Sequence, residues 1–274
     1  MRNYAISART LADNVFCPMT SMEKERYRRQ LLHPGFTEKM QERLKNSTVL
    51  LAGVGGLGGA IAYGLAGAGV GKIIVVHSGE LTESNLNRQT LMKESALGAS
   101  RAKTAAERIT EFNRFTTVVA NDIPVTDKTM APLVAGTDLV IDARHNFPER
   151  RTLNRVAVKA GVPLLYAAMD GLSAQMAFFR PSVTGCFECL YPDSPPDWDP
   201  FGFPVFGAVA HSIGALAAME AIKYLSGYGE LSDKLVVADM NEYGIRQFSL
   251  QPLAGCPVCG GRKKTTNDKR GEKK

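Results

Sequence analysis

Between Val49 and Gly59 an apolar run of strand length breaks into glycines and then into a helical pattern over 60–68. Within it Gly53, Gly55 and Gly58 stand at the spacing G-x-G-x-x-G, with Gly56 as a fourth glycine inside the turn. The first glycine permits the sharp reversal and the second lets backbone approach a phosphate. The third lets helix pack closely on strand, while the helix N-terminus offers free N–H groups to an anion. Many glycine-rich turns bind nothing, so the position after a strand and before a helix is what makes this one a candidate nucleotide site.

The rest of the chain keeps the same rhythm. Strand patterns rich in β-branched residues at 72–76, 117–121, 138–142 and 163–167 alternate with helical patterns at 100–112, 126–135 and 148–160. This alternation predicts an α/β fold, Rossmann-like, with a mainly parallel sheet covered by helices on both faces. From residue 173 the rhythm changes: a strand at 175–180 has no helix after it, and a proline- and aromatic-rich loop covers 191–206. A helix of small residues at 208–225 and strands at 234–240 and 246–250 follow, predicting a mixed, antiparallel C-terminal extension. The expected organisation is a flexible arm over 1–21, one nucleotide-binding domain over 22–261 and a basic disordered tail over 262–274.

A chain of 274 residues with 45% hydrophobic content can bury a full core. No apolar run approaches the roughly 18 residues of a membrane span, and the first twenty residues hold no apolar segment of signal-peptide type. A cytoplasmic protein without membrane attachment is therefore expected. The net charge of +6 comes mostly from residues 262–274, with seven basic and two acidic side chains and no apolar residue to bury. Such a tail reads as a solvated end, and nucleic-acid binding is not expected.

Of the five cysteines, four form two C-x-x-C knuckles, Cys186/Cys189 and Cys256/Cys259. Two such pairs far apart in a cytosolic-looking chain predict a closed, structural four-cysteine zinc site; a redox dithiol or unrelated buried thiols are the alternatives. Cys17 stands alone and receives no role.

Further motifs carry a family resemblance. They are Arg-Tyr-x-Arg-Gln at 26–30, the Gly-x-Gly-Gly-x-Gly turn, Ser-Asn-Leu-x-Arg-Gln at 84–89 and Asn146-Phe147, together with both knuckles and Met219-Glu220-Ala221-Ile222-Lys223. With these in order from 26 to 260, the chain resembles the ThiF/MoeB family of ubiquitin-activating-like adenylyltransferases. The resemblance implies Mg-ATP bound at the glycine turn and adenylation of a carboxylate, usually the C-terminal Gly-Gly of a small ubiquitin-like sulfur carrier, or of a peptide. It implies that Arg88 and Asn85 face the phosphates, that Asn146 belongs to the nucleotide site, and that Arg29 reaches the site from the other subunit of a homodimer. Arginine suits the role because its planar fork grips phosphate bidentately.

Several positions depart from the family pattern. The acidic residue that holds the ribose hydroxyls falls on His77, a second acidic position falls on Gly79, and the family lysine falls on Arg101. The magnesium-binding aspartate falls on His145, and no cysteine stands between Leu190 and His211 to form a thioester. Imidazole is a poor ligand for a hard cation, so magnesium binding is not expected to survive unchanged. His77 could still hydrogen-bond a ribose hydroxyl, and a protonated His145 could meet a phosphate directly; alternatively both histidines fill space in a decayed site.

Two functional readings remain. The first is a homodimeric adenylyltransferase in which Arg29, Arg88, Arg101 and His145 act on ATP, bound at Gly53, Gly55, Gly56, Gly58, His77, Asn85 and Asn146. The second is a non-catalytic relative serving as a scaffold or inactive dimer partner. A nicotinamide-dependent oxidoreductase fits less well, because the acidic residue after the second strand is missing there too.

Overall fold

The run ahead of the glycines forms a central strand in the computed structural model, which describes residues 17–193, 202–231 and 233–260. Residues 1–16 of the arm expected over 1–21, and the basic tail at 262–274, lie outside the described residues. The helices α1 (Ser21–Arg26), α2 (Arg28–Leu31) and α3 (Glu38–Lys45) precede β1 (Thr48–Ala52). Then come α4 (Gly56–Ala68), β2 (Lys72–Val76), α5 (Arg101–Phe112), β3 (Thr117–Asn121), α6 (Asp127–Val134), β4 (Leu139–Asp142) and α7 (Phe147–Ala160). The second part holds β5 (Leu164–Asp170), β6 (Ser173–Phe179), α8 (Phe187–Leu190), α9 (Gly207–Ser226), β7 (Lys234–Asp239) and β8 (Gly244–Ser249).

All eight strands join one sheet in the order β3-β2-β1-β4-β5-β6-β7-β8. The first five are parallel and the last three join antiparallel, as the change of rhythm predicted. Side chains alternate across the sheet with period two. Val49 and Leu51 enter a core layer with Ile61, Leu65 and Ile213, whereas Leu50 and Ala52 enter the opposite layer with Leu153 and Val156. Strands buried on both faces must be apolar at every position, which is why β1 reads as a continuous run rather than an alternation.

The small residues of α4 and α9 serve close helix packing. A Cβ added at Gly64 would lie 2.6 Å from the Ala218 Cβ, and one at Gly214 would lie 2.7 Å from the Leu57 carbonyl oxygen. Near the start of the described chain, the helical stretch splits at Tyr27 (φ −95°, ψ 9°). There the ring is buried and its hydroxyl accepts a 3.0 Å hydrogen bond from Asn113 Nδ2. The first helix after β6 is the four-residue α8, which begins inside the first knuckle and precedes the long α9.

The strand order reverses at β1 and β4. β1 runs on into α4, which packs in one core layer, and β4 runs on into α7, which packs in the other. Between their diverging connections lies the crevice at which doubly wound sheets bind ligands.

Candidate active site

Gly53 opens the turn at φ +103°, a conformation that L side chains rarely adopt, and a Cβ there would sit 2.5 Å from the Ala143 carbonyl oxygen. A Cβ at Gly58 would collide with the Gly53 carbonyl. Gly55 is the N-cap of α4 and supplies no side-chain cap, so the first N–H groups of the helix stay available to a ligand. The backbone is thus shaped as the glycine spacing predicted.

The side chains above this turn come from two connections, the long one from β2 to the start of α5 and the short one from β4 to α7. After β2, His77 is 5% exposed, and its Nδ1 accepts from the Val54 N–H at 3.2 Å and from Arg144 Nη1 at 2.9 Å. Both partners are donors, so Nδ1 carries no proton and the neutral ring holds its hydrogen on Nε2. Burial, followed by the charges of Arg144 and Arg101, holds the imidazole well below its ordinary pKa. The Nε2 atom is buried and has no hydrogen-bond partner among the described residues.

After β4, Arg144 lies against the glycine turn, with its Cδ 3.4 Å from the place a Gly53 Cβ would take. Its Nε donates to Glu149 Oε2 at 2.7 Å, and its backbone N–H donates to Asp142 Oδ1 at 2.9 Å. Asp142 is fully buried and also accepts from Arg150 Nη1 at 3.2 Å. Asn146 caps α7: its Oδ1 accepts from the Glu149 N–H at 2.8 Å, and its Nδ2 donates to the Glu149 carboxylate. Burial and Arg144, opposed by Glu149, hold the His145 imidazole below its ordinary pKa.

From the start of α5, Arg101 reaches back to the β2 end, donating to the carbonyls of Ser78 (3.3 Å) and Gly79 (3.4 Å). A Cβ at Gly79 would stand 3.0 Å from Arg101 Nη2, so the missing side chain at 79 and the arginine at 101 fit one another. Burial and the like charges of Arg144 and Arg88 lower the pKa of Arg101. The backbone of Arg88 packs on the start of α4, with its carbonyl oxygen 3.0 Å from where a Gly56 Cβ would be. The same oxygen faces His211 Nε2 on α9 at 2.8 Å. The Arg88 guanidinium donates to Ser84 O (2.7 Å) and Asn87 Oδ1 (2.9 Å), and Asn85 Oδ1 accepts from the Thr82 N–H at 3.1 Å.

Arg29 is not in this group. It is exposed on α2, beside Gln30, whose Nε2 donates to the Ala68 carbonyl at 2.8 Å at the far end of α4. Thirteen helical residues, about 20 Å at 1.5 Å rise, separate that end from the glycine turn. Arg144 and Glu149 are the partners that the sequence left unmarked. In a connection full of charge nothing distinguished Arg144 from a solvated residue, although its place next to His145 was a signal.

Magnesium does not fit this donor set. Asp142 and Glu149 are both engaged by arginines, and His145 supplies nitrogen where a hard cation needs oxygen. Among the described residues, the four cysteines are the only group of three or more Cys, His, Asp or Glu side chains close enough to share an ion.

That cysteine group lies away from the crevice. Sγ separations are 3.9 Å (Cys186–Cys189), 3.7 Å (Cys186–Cys256) and 3.5 Å (Cys189–Cys259). Tetrahedral thiolates about 2.3 Å from a metal stand about 3.8 Å apart, so the cluster can hold a metal ion. The first knuckle is fixed to α7 by the Phe187 N–H, which donates to Asn154 Oδ1 at 3.1 Å.

Residues 27–258 match the family model described as ThiF family. The chain belongs to this family. It is 41% identical over 243 residues to the vegetative HesA protein of Trichormus variabilis, covering 88% of this chain and 91% of that one. It is 33% identical to the sulfur carrier protein ThiS adenylyltransferase of Escherichia coli, covering 89% and 98%. Among solved structures, Escherichia coli MccB with ATP superposes with a TM-score of 0.77 at 27% identity, covering 88% of this chain and 75% of that chain. The family read from the motifs is thus the family found, and several relatives are named adenylyltransferases, the activity that the resemblance implied. Among the described residues no helix is long and apolar enough to cross a membrane.

Proposed function

We propose that this ThiF-family chain is an adenylyltransferase that uses ATP to activate a carboxylate, the C-terminal carboxylate of a small ubiquitin-like sulfur carrier or of a peptide. The observation that carries the reading is the uncapped N-terminus of α4, with Arg88 and Arg101 beside it at the reversal of the sheet. In the reaction a carboxylate oxygen attacks the α-phosphorus, and the bond from that phosphorus to the oxygen bridging to the β-phosphate breaks. Acyl-adenylate forms and pyrophosphate leaves with the electron pair.

The N–H groups at Gly55, Gly56 and Gly58 and the guanidinium groups of Arg88 and Arg101 receive the phosphates. They act as preorganised donors where negative charge builds on the departing pyrophosphate. His77 offers a ribose hydroxyl a donor, Nε2–H, instead of the two acceptor oxygens of a carboxylate. Asn85 and Asn146 complete the rim, although Asn146 also serves as a helix cap. The distance of Arg29 from its own glycine turn supports a homodimer in which Arg29 acts across the interface. The cysteine cluster holds structural zinc, joining the segment after β8 to the body of the domain, and the protein works in the cytoplasm.

Pyrophosphate–ATP exchange tests the reading: incubation with ATP and a carrier or peptide ending in glycine is expected to return label from pyrophosphate into ATP. Arg101→Ala is expected to lower the exchange by roughly 100-fold. Mixing Arg29→Ala with Arg101→Ala is expected to restore part of it if Arg29 acts in trans. A second reading, a non-catalytic relative, is favoured by the occupation of Asp142 and Glu149 by arginines. ATP binding without exchange for any candidate carrier would support it.

A further inference from the structure

The crevice carries cations where an ATP site served by magnesium needs free carboxylates. Arg101 and Arg144 are anchored at neighbouring residues, Arg101 on the Ser78 carbonyl and Arg144 on the His77 ring. Arg88 enters from the other side, its backbone packed on Gly56 at the head of α4. Neither Arg88 nor Arg101 forms an ion pair among the described residues; their hydrogen bonds there go to carbonyl and amide oxygens. Arg88 thus has no acidic partner at ion-pair distance beside the free N–H groups of α4, Arg101 has only the exposed Asp122 acting on it from outside that distance, and the charge on Arg144 is balanced by Glu149.

The acidic side chains at the β4 connection are already committed, while Asp122, by the β2 turn, is exposed and faces the Gly79 N–H at 3.4 Å. Asp142 accepts from Arg150 and from the Arg144 N–H, and Glu149 accepts from Arg144 and Asn146. The two positions at which the family resemblance expects carboxylates on the β2 turn hold His77 and Gly79, and the one after β4 holds His145. Each replacement removes a negative charge, and the arginine at 101 occupies the room left at Gly79. These changes agree in sign: every one makes the crevice better for a bare polyanion and worse for a hydrated divalent cation.

We infer that this crevice receives ATP as the metal-free polyanion, its phosphate charge offset by Arg88 and Arg101 in place of magnesium, with Arg144 as a further hydrogen-bond donor. The inference rests on the nucleotide reading above and specifies how that site handles charge. The bare nucleotide carries two more negative charges than its magnesium complex, so an arginine-rich crevice prefers it. Arg144 can remain paired with Glu149 while its free N–H groups meet a phosphate oxygen, because a guanidinium has five donors.

Calorimetric titration of the full-length protein with ATP tests this, once in magnesium-free buffer treated with a chelating resin and once with excess Mg2+. ATP is expected to bind without magnesium, and excess Mg2+ is expected to weaken binding about threefold or more. Arg101→Ala is expected to weaken magnesium-free binding by about tenfold. His145→Asp, which returns a carboxylate to the position after β4, is expected to make Mg2+ strengthen binding. Circular dichroism melts of both variants identify any that fail to fold; the wild-type pair of titrations decides the matter without them. Wild-type binding that requires Mg2+ overturns this inference and leaves the nucleotide reading standing. Absence of ATP binding in both buffers overturns both.

Discussion

Arg144 Nη1 donates to His77 Nδ1 at 2.9 Å across 67 residues of sequence, and this bond sets the state of the imidazole. An arginine can only donate, so the nitrogen facing it must be unprotonated, and the proton of the neutral ring sits on Nε2. The residue that replaces an acidic acceptor in the family pattern has therefore become a hydrogen-bond donor.

This arrangement makes stability depend on pH in a stated direction. The folded-state pKa of His77 lies well below its ordinary value because of burial, then Arg144 and Arg101. The unfolded chain thus takes up a proton first, and the contribution is fully present above about pH 6.5 and is lost as pH falls below it toward the lowered value. The slope from one proton is at most about 1.4 kcal/mol per pH unit. Urea unfolding between pH 7.5 and 5.5 is expected to show a shallower loss of stability for His77→Gln than for wild type; parallel slopes would contradict the assignment.

The glycine turn should separate strain from collision. Gly53→Ala meets both a φ of +103° and the Ala143 carbonyl, and is expected to destabilise by about 2–4 kcal/mol. Gly98 has φ +79° but nothing within 4 Å of an added Cβ, so Gly98→Ala is expected to cost only about 1–2 kcal/mol. Denaturant midpoints of the two variants give the comparison, and equal losses would refute it.

Burial should govern the ion pairs. Glu149→Gln leaves the Arg144 guanidinium, 5% exposed, without its charge partner, and a loss of roughly 3 kcal/mol is expected. Asp127→Asn removes the partner of Arg155 at the same kind of distance, 3.0 Å, but the pair is exposed and the change should stay within about 0.5 kcal/mol. Thermal melts at one pH are enough to rank the two.

Metal analysis checks the cysteine cluster. Elemental analysis of the purified protein is expected to give one zinc per chain, and Cys256→Ser or removal of the metal with a strong chelator should lower the melting temperature sharply. Cys17→Ser, altering an exposed thiol outside the cluster, should leave both metal content and melting temperature unchanged. Retention of the full melting temperature after metal loss would remove the structural role.

Much of this protein is written in local spacing. The strand at 117–121 and the helix at 148–160 are found where their patterns put them, α7 beginning one residue earlier because Asn146 caps it. The glycine turn and the knuckle pairing were legible for the same reason: a backbone that needs φ above zero, and thiols three residues apart, leave marks within a few positions. The break at Tyr27 was not legible: no proline or glycine marks it, and the partner of its buried hydroxyl, Asn113, lies 86 residues away.

The sequence by itself determined the alternation of elements, the doubly wound class, the glycine-turn backbone at Gly53 to Gly58 and the set of four cysteines. Each follows from residue type at short range. Only the tertiary structure decided what fills the crevice: that Arg144 turns inward to His77 and Glu149, that the Nε2 of His77 bears the proton, and that Arg29 stands at the wrong end of α4 to serve its own turn. The reason is physical. A protonation state and an ion pair depend on burial and on neighbouring charge, and β1, lying between β2 and β4 in the sheet, brings the ends of those two strands together.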